Sequence, residues 1–164
     1  MLDQDTFVQK VDEYAQVLYR TARSMLCRQE DCEDALQEAV AKAWASRGSL
    51  RNEAYFRTWM MRIVINECHN IQRHRKRVLP SGDIEGALEA ARQEPREKEG
   101  RILALVDALP EKQRVAAVLH YVEGLPVEEV AKALRVPQST VRGRLFQARK
   151  ALKLELTSQK EVPV

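Results

Sequence analysis

Apolar residues return at steps of three and four along most of this chain, and no stretch alternates convincingly with period two. Steps of three and four line one face of a helix, whereas a half-buried strand needs strict alternation. The pattern therefore predicts an all-α fold. Phe7, Val11, Ala15, Leu18, Ala22 and Met25 predict a helix over 4–27. Asp31 or Asp34 is suited to cap a second helix, with Leu36, Val40, Ala43 and Trp44 as its inner face. Gly48 ends it and opens a polar loop, 47–53. A long third helix carries Tyr55, Phe56, Trp59, Met60, Ile63, Val64 and Ile71, with Phe56 and Ile63 read as core.

The periodicity then stops. Pro80, Gly82, Gly86, Pro95 and Gly100 fall within a charged stretch that reads as a linker. Beyond it the helical steps resume with Ile102, Leu105, Val106 and Leu109. Pro110 fits the first turn of the next helix, which buries Val115, Val118, Leu119 and Val122 and ends at Gly124. Pro126 opens a third helix, 127–134, and Arg135-Val136-Pro137 makes a tight turn. The last helix follows from Gln138, with Val141, Leu145, Ala148 and Leu152 inside. The expected organisation is two small helical domains, 1–78 and 101–157, with a connector over 79–100 and a tail over 158–164. A chain of 164 residues has room for this and little more.

Charge follows the same division. Residues 1–78 are net +2, 79–110 net −3 and 111–164 net +4, summing to the chain's +3. Glu30, Asp31, Glu33, Asp34 and Glu38 form an acidic patch, which either complements a helix N-terminus or meets a partner. Arg73, Arg75, Lys76 and Arg77 form one basic cluster; Arg142, Arg144, Arg149, Lys150 and Lys153 form another. A single basic cluster is ordinarily a solvated helix face. Two of them, in separate modules, point to a phosphate backbone held by charge and counterion release.

Other function classes lose ground on the same residues. No apolar run approaches the ~20 residues of a membrane span, so no membrane insertion is expected. The acidic opening Met1-Leu2-Asp3-Gln4-Asp5 has no apolar core, and the expected location is cytoplasmic. Cys27, Cys32 and Cys68 include no C-x-x-C pair and read as reduced, partly buried thiols. Cys68, His69 and His74 do not converge on a helix, so no metal site is expected. No phosphate-binding glycine loop, dinucleotide motif or nucleophile elbow is present. His69, His74 and His120 lack partners at catalytic spacing, so neither an enzyme nor a cofactor is expected.

Helix, three-residue turn and helix, with the small Ala131 in the first helix, is a helix-turn-helix pattern; a plain helical hairpin with a basic face shares much of it. In such a unit the second helix enters the major groove and offers its N-terminal side chains to bases. Those positions here are Gln138, Ser139, Arg142, Gly143, Arg144, Phe146 and Gln147, with Thr140 placed to cap the helix or touch phosphate.

Asp31-Cys32-Glu33-Asp34-Ala35-Leu36-Gln37-Glu38, followed by Ala43-Trp44, resembles the polymerase-binding signature of bacterial sigma factors. Phe56 to Asn66 (FRTWMMRIVIN) is similar to their promoter-melting segment. Leu109-Pro110-Glu111, Tyr121 to Pro126 and Thr140 to Arg149 resemble their C-terminal promoter-reading domain. The blocks stand in the order and spacing of the extracytoplasmic-function class, which keeps only those two domains. The resemblance covers roughly 5–155.

That resemblance implies a transcription initiation factor that binds core RNA polymerase and promoter DNA. Asp31, Asp34, Gln37 and Glu38 would bind the polymerase, with Leu36 and Val40 packing inward. Ser49, Leu50 and Arg51 in the loop, with Arg62, Asn66 and Arg73 on the long helix, would hold the melted −10 element. Asn66 has a second reading as a buried structural amide. Gln138, Ser139, Thr140, Arg142, Gly143, Arg144, Phe146 and Gln147 would read the −35 element. An anti-sigma protein is implied as a further partner. The sequence departs from the family pattern at Ala35 and Ala39, where larger apolar residues are frequent, and at Gly143, where a small polar residue is usual. The rival is a stand-alone helix-turn-helix regulator that binds duplex DNA without polymerase.

Overall fold

The computed structural model of the chain describes residues 1–78 and 101–160, with side chains in the second stretch from Leu103 to Lys153. The connector expected over 79–100 and the end of the expected tail, 161–164, lie outside the described residues. The chain divides into two compact units, Met1–Leu88 and Glu89–Val164. Every regular element among the described residues is helical.

The first unit holds α1 (Gln4–Glu13), α2 (Ala15–Met25), α3 (Gln29–Ala45) and α4 (Phe56–Val78), with short 3₁₀ turns at Arg47–Ser49 and Glu53–Tyr55. The single helix expected over 4–27 is broken at Tyr14, with φ −100° and ψ 12°. The Tyr14 N–H still reaches the Lys10 carbonyl at 3.1 Å, and Tyr14's own carbonyl accepts from Leu18 at 3.0 Å, so the break is a bend. It serves an aromatic cluster centred on Phe56. Tyr14 stacks on that ring at 6.0 Å, Phe7 meets it edge-on at 6.1 Å, and Trp59 lies 5.8 Å away. Asp3 caps α1 by accepting the Thr6 N–H at 2.7 Å.

Neither Asp31 nor Asp34 caps α3, which begins one turn earlier with Arg28 at its N-cap. Its buried face is Cys32, Ala35, Ala39 and Ala43, in steps of three, four and four. Leu36, Val40 and Trp44 are only half-buried. The small residues at 35 and 39 thus have a physical reason: they let the α3 backbone close on α4, where a larger side chain would overfill the gap. Helix α4 packs against both α2 and α3. Its buried arc is accordingly wide, taking in Phe56, Met60, Met61, Val64, Ile65, Glu67 and Cys68. Ile63, expected in the core, falls on the edge of that arc and is half-buried, and Tyr55 is exposed.

The second unit holds α5 (Arg101–Asp107), α6 (Glu111–Ala117), α7 (Val127–Leu134) and α8 (Gln138–Lys160). Helix α6 runs into a π-helical turn, Val118–Val122. Pro110 is the N-cap of α6, one position before the first-turn place expected for it. Gly124 takes φ +76°, as the end of the helix requires. Val106, Leu109, Ala117, Val118 and Ala148 form a buried cluster, with Val122, Ala151 and Leu152 against it. Arg114 is buried to 1% exposure, and its Nη1 donates to the Leu109 carbonyl at 2.8 Å, tying down the turn between α5 and α6.

Between α7 and α8 the three-residue turn is as expected, and it rests on an unusual residue. Arg135 is left-handed, with φ 58° and ψ 44°, a region that favours glycine. The Val136 N–H then bonds the Ala131 carbonyl at 3.1 Å, closing α7. The Pro137 carbonyl accepts from Thr140 at 3.0 Å and starts α8. Cys27 is half-buried, Cys32 and Cys68 are buried, and none of the three is in a disulfide. No described helix is long and apolar enough to cross a membrane.

Candidate functional site

Three surfaces carry the side chains singled out in the sequence. The first is on α3. Asp34, Gln37 and Glu38 are exposed, and their spacing keeps them within about 100° of one another around the helix. Asp31 belongs to the same helix but not to the same open surface. Its carboxylate is paired with the Arg75 guanidinium at 2.5 Å, the two side chains being 14% and 23% exposed. The pair ties the first turn of α3 to the last turns of α4. It also withdraws Arg75 from the basic cluster, whose Arg73, Lys76 and Arg77 remain exposed.

The second surface is the loop before α4 together with one face of that helix. Ser49 and Arg51 are exposed and Leu50 half-buried. The Ser49 hydroxyl donates to the Ser46 carbonyl at 2.7 Å, which fixes the loop locally. Arg47 stacks its guanidinium 3.8 Å over Trp44 and donates to the Trp44 carbonyl at 2.8 Å. Asn52 caps the following 3₁₀ turn through the Ala54 N–H at 3.0 Å. On α4, Arg62, Asn66 and Arg73 are all exposed, at steps of four and seven, so they form one stripe. Asn66 is therefore not a buried structural amide. Arg73 donates to the Asn70 side chain, which in turn lies 3.4 Å from Glu67.

Glu67 was not singled out in the sequence. It is buried on α4, and Lys42 of α3 donates to it at 2.6 Å. That hydrogen bond from Lys42 to Glu67 raises the Lys42 pKa above its ordinary 10.5, against the opposing effect of burial. Gln72, also on α4, donates to the Met25 carbonyl at 2.9 Å and fixes the end of α2. Long side chains thus fix α4 against α2 and α3. Sequence spacing does not reveal such pairs, because their partners are 25 and 47 residues away.

The third surface is the start of α8. Gln138, Ser139, Arg142, Gly143, Phe146 and Gln147 are exposed, and Phe146 is 56% exposed despite being fully apolar. Thr140 and Arg144 lie half-buried on the flank of this face. Thr140 sits inside the first turn of α8, so it does not cap the helix. Arg142 donates to the Gln138 side chain at 3.1 Å, an i,i+4 pair that holds both residues over the N-terminal turns. A methyl group placed on Gly143 would meet nothing within 4 Å. One turn of packing deeper, Val141, Leu145 and Ala148 anchor the helix. Two cation-bearing faces and one carboxylate-bearing face result, each on a helix whose opposite side is packed. Among the described residues no three His, Cys, Asp or Glu side chains are grouped to hold a metal ion.

Comparison with known proteins agrees with this anatomy. The Sigma-70 region 2 family matches residues 11–78, and the Sigma-70 region 4 family matches 99–152. The chain is 34% identical to the ECF RNA polymerase sigma-E factor of Escherichia coli strain K12 over 138 residues, covering 74% of this chain and 72% of that protein. It is 26% identical to the RNA polymerase sigma factor SigV of Bacillus subtilis strain 168 over 149 residues, covering 91% and 90%. The fold is shared with the sigma factor RpoE from Bartonella quintana, solved in complex with the anti-sigma factor NepR, at a TM-score of 0.74 and 23% identity over 92% of this chain and 96% of that one. With both sigma-70 regions matched in order and an extracytoplasmic-function relative above 30% identity, the chain belongs to the sigma-70 family as an extracytoplasmic-function sigma factor, a transcription initiation factor of RNA polymerase.

Proposed function

We propose that the three surfaces divide the work of initiation. Asp34, Gln37 and Glu38 on α3 dock on core RNA polymerase. The loop Ser49, Leu50 and Arg51 takes an unpaired base of the −10 element, and Arg62, Asn66 and Arg73 hold that strand. Gln138, Ser139, Arg142, Gly143, Phe146 and Gln147 face the −35 duplex, flanked by Thr140 and Arg144. Asp31 contributes to the first surface by setting the end of α3 through Arg75, rather than by free contact. The chain makes and breaks no covalent bond; strand separation draws on binding energy within the polymerase complex, and the chain works in the cytoplasm.

The observation that carries this reading is the stripe on α4. An asparagine flanked by Ile63, Val64 and Ile65 is exposed, between Arg62 and Arg73 on the same face. An amide that reads base edges, set between two cations that hold phosphates, suits a melted strand. Two complexes contain chains of this fold, the sigma factor RpoE with the anti-sigma factor NepR, and CnrH with the cytosolic domain of CnrY. They support an inhibitory partner of the same kind here. The test is binding of the reconstituted polymerase to a forked promoter fragment with an unpaired −10 strand. Asn66→Ala is expected to weaken binding to the fork about tenfold and to leave fully paired duplex binding unchanged, as a lost base contact of about 1–3 kcal/mol would. Equal binding to the fork by both proteins overturns the assignment.

A further inference from the structure

A second polar pair lies on the C-terminal unit, beyond the N-terminal turns of α8 that face the bases. Arg149 of α8 donates from Nη1 to the Tyr121 hydroxyl oxygen at 2.6 Å. Tyr121 projects from the π-helical turn, where the extra residue per turn swings it outward, and it is 45% exposed. Its position is fixed. The His120 ring packs edge-on against it at 4.8 Å, and His120 Nδ1 is itself held 2.7 Å from the Leu125 carbonyl.

The donor inventory of this pair is one-sided. A guanidinium has five N–H donors and no acceptor, and one of them is used on Tyr121. The Tyr121 oxygen accepts that bond, so its own proton is directed elsewhere, and no acceptor takes it among the described residues. The pair therefore offers several convergent donors around one positive charge, at an exposed spot. That set suits an anion with more than one acceptor oxygen. On α8, Gln138, Arg142 and Arg149 share a face, and Arg149 stands eleven residues past Gln138, about 16 Å along the axis. A helix whose N-terminal turns enter the major groove is bounded by the phosphate backbones, which take half or more of a protein's hydrogen bonds to DNA.

We propose that Arg149 and Tyr121 form a phosphate-binding pair that grips one backbone phosphate of duplex DNA beside the bases faced by α8. The proposal rests on the reading that α8 lies against the −35 duplex. The pair sets register and carries no sequence information. A carboxylate of a protein partner has similar acceptor chemistry, but the cations along the same α8 face favour DNA.

The experiment uses the full chain with core polymerase, bound to a promoter fragment and to a set of single-base variants of its −35 element over a range of salt. Arg149→Ala is expected to weaken every member of the set by the same factor, about tenfold, and to reduce the steepness of the salt dependence by about one ion. Tyr121→Phe keeps the ring that packs on His120. It is expected to weaken binding about threefold with the salt dependence unchanged, because it removes a neutral donor. Thermal unfolding of Tyr121→Phe is expected to match the parent chain. Losses that differ between base variants would assign the pair to base reading and overturn the proposal. Unchanged DNA binding by both variants, with weakened binding to polymerase or to an anti-sigma protein, would assign it to a protein carboxylate and also overturn it. Failure of the unaltered chain to bind the fragment with polymerase contradicts the placement of α8 itself, which is a different result.

Discussion

Asp31 of α3 and Arg75 of α4 meet at 2.5 Å, largely withdrawn from solvent, and join the two helices. The same acidic patch thus contains one carboxylate that holds the fold and others that stay open. An ion pair at this depth lies between the exposed limit, worth under about 1 kcal/mol, and the buried one, where removing a partner costs about 3–5 kcal/mol. Asp31→Ala is expected to destabilise the N-terminal unit by roughly 1–2 kcal/mol in urea unfolding. Asp34→Ala, at an exposed position, is expected to stay within about 0.5 kcal/mol of the parent. Equal effects at the two positions would show that the pair contributes nothing.

The open residues make the opposite prediction. Asp34→Ala combined with Gln37→Ala is expected to lower affinity for core polymerase and leave the unfolding curve where it was. Co-purification with polymerase, compared at matched protein concentration, reads the first; urea unfolding reads the second. Unchanged co-purification would remove these two residues from the docking surface.

Gly143 sits in the second turn of a packed helix with free space around its α-carbon. Gly143→Ala is expected to stabilise the C-terminal unit by about 1 kcal/mol, since glycine is that much poorer than alanine inside a helix. Arg135, the left-handed residue that ends α7, should respond in the same direction. Arg135→Gly relieves a conformation that costs about 1–2 kcal/mol for a side-chain-bearing residue, partly offset by the freedom glycine adds to the unfolded chain. Thermal unfolding checks both, and a loss of stability at either position contradicts the backbone argument.

Most of the helical architecture was legible in the sequence because it depends on local spacing. The steps of Val141, Leu145, Ala148 and Leu152, and the Pro and Gly marks at 110, 124, 126 and 137, depend only on near neighbours along the chain. What escaped depends on distant partners. Tyr14 bends the first helix because its ring has a place on Phe56, 42 positions away. Ala35 and Ala39 proved to be the buried face of α3, ahead of Leu36 and Val40, because α4 approaches too closely for larger residues. Arg114 and Glu67 carry no sequence signal, Arg75 reads as one of a phosphate-attracting basic cluster, and nothing in their spacing points to Leu109, Lys42 or Asp31. The candidate site divides the same way. The α8 positions follow from the helix-turn-helix pattern and the α4 positions from the family resemblance, while the Asp31 pairing and the Arg149–Tyr121 bond join residues far apart in sequence.

Lys42 supplies a pH dependence. Its hydrogen bond to Glu67 raises its pKa above the 10.5 of the free side chain. A raised lysine contributes stability that is complete below the unfolded value and is lost as pH climbs through the folded one. The difference in stability between the parent chain and Lys42→Gln is therefore expected to be constant through neutral pH and to shrink above pH 10.5. Asp3 acts at the other end. Its cap on the Thr6 N–H lowers its pKa below 3.8, so its contribution is present above that value and fades in stronger acid. Chemical unfolding at a series of pH values checks both signs. A Lys42 contribution that grows above pH 10.5 would reverse the assignment.

On α8, Arg142→Ala and Arg144→Ala are both expected to weaken promoter binding by the polymerase complex. Arg142, exposed and braced by Gln138, is the one expected to relax base preference as well. Binding to a panel of −35 variants separates the two effects. Equal losses on every sequence from both substitutions would leave α8 as a phosphate-holding helix without a reading face.

The central claim is that two helical units joined in one chain direct an enzyme they do not contain to a start site. The most direct measurement is transcription from a library of genomic fragments by core RNA polymerase, with and without this protein, followed by sequencing of the transcript ends. The account predicts discrete start sites that appear only when the protein is added, each preceded by shared −10 and −35 sequences. Transcripts that are the same with and without it, from every fragment, would contradict the account.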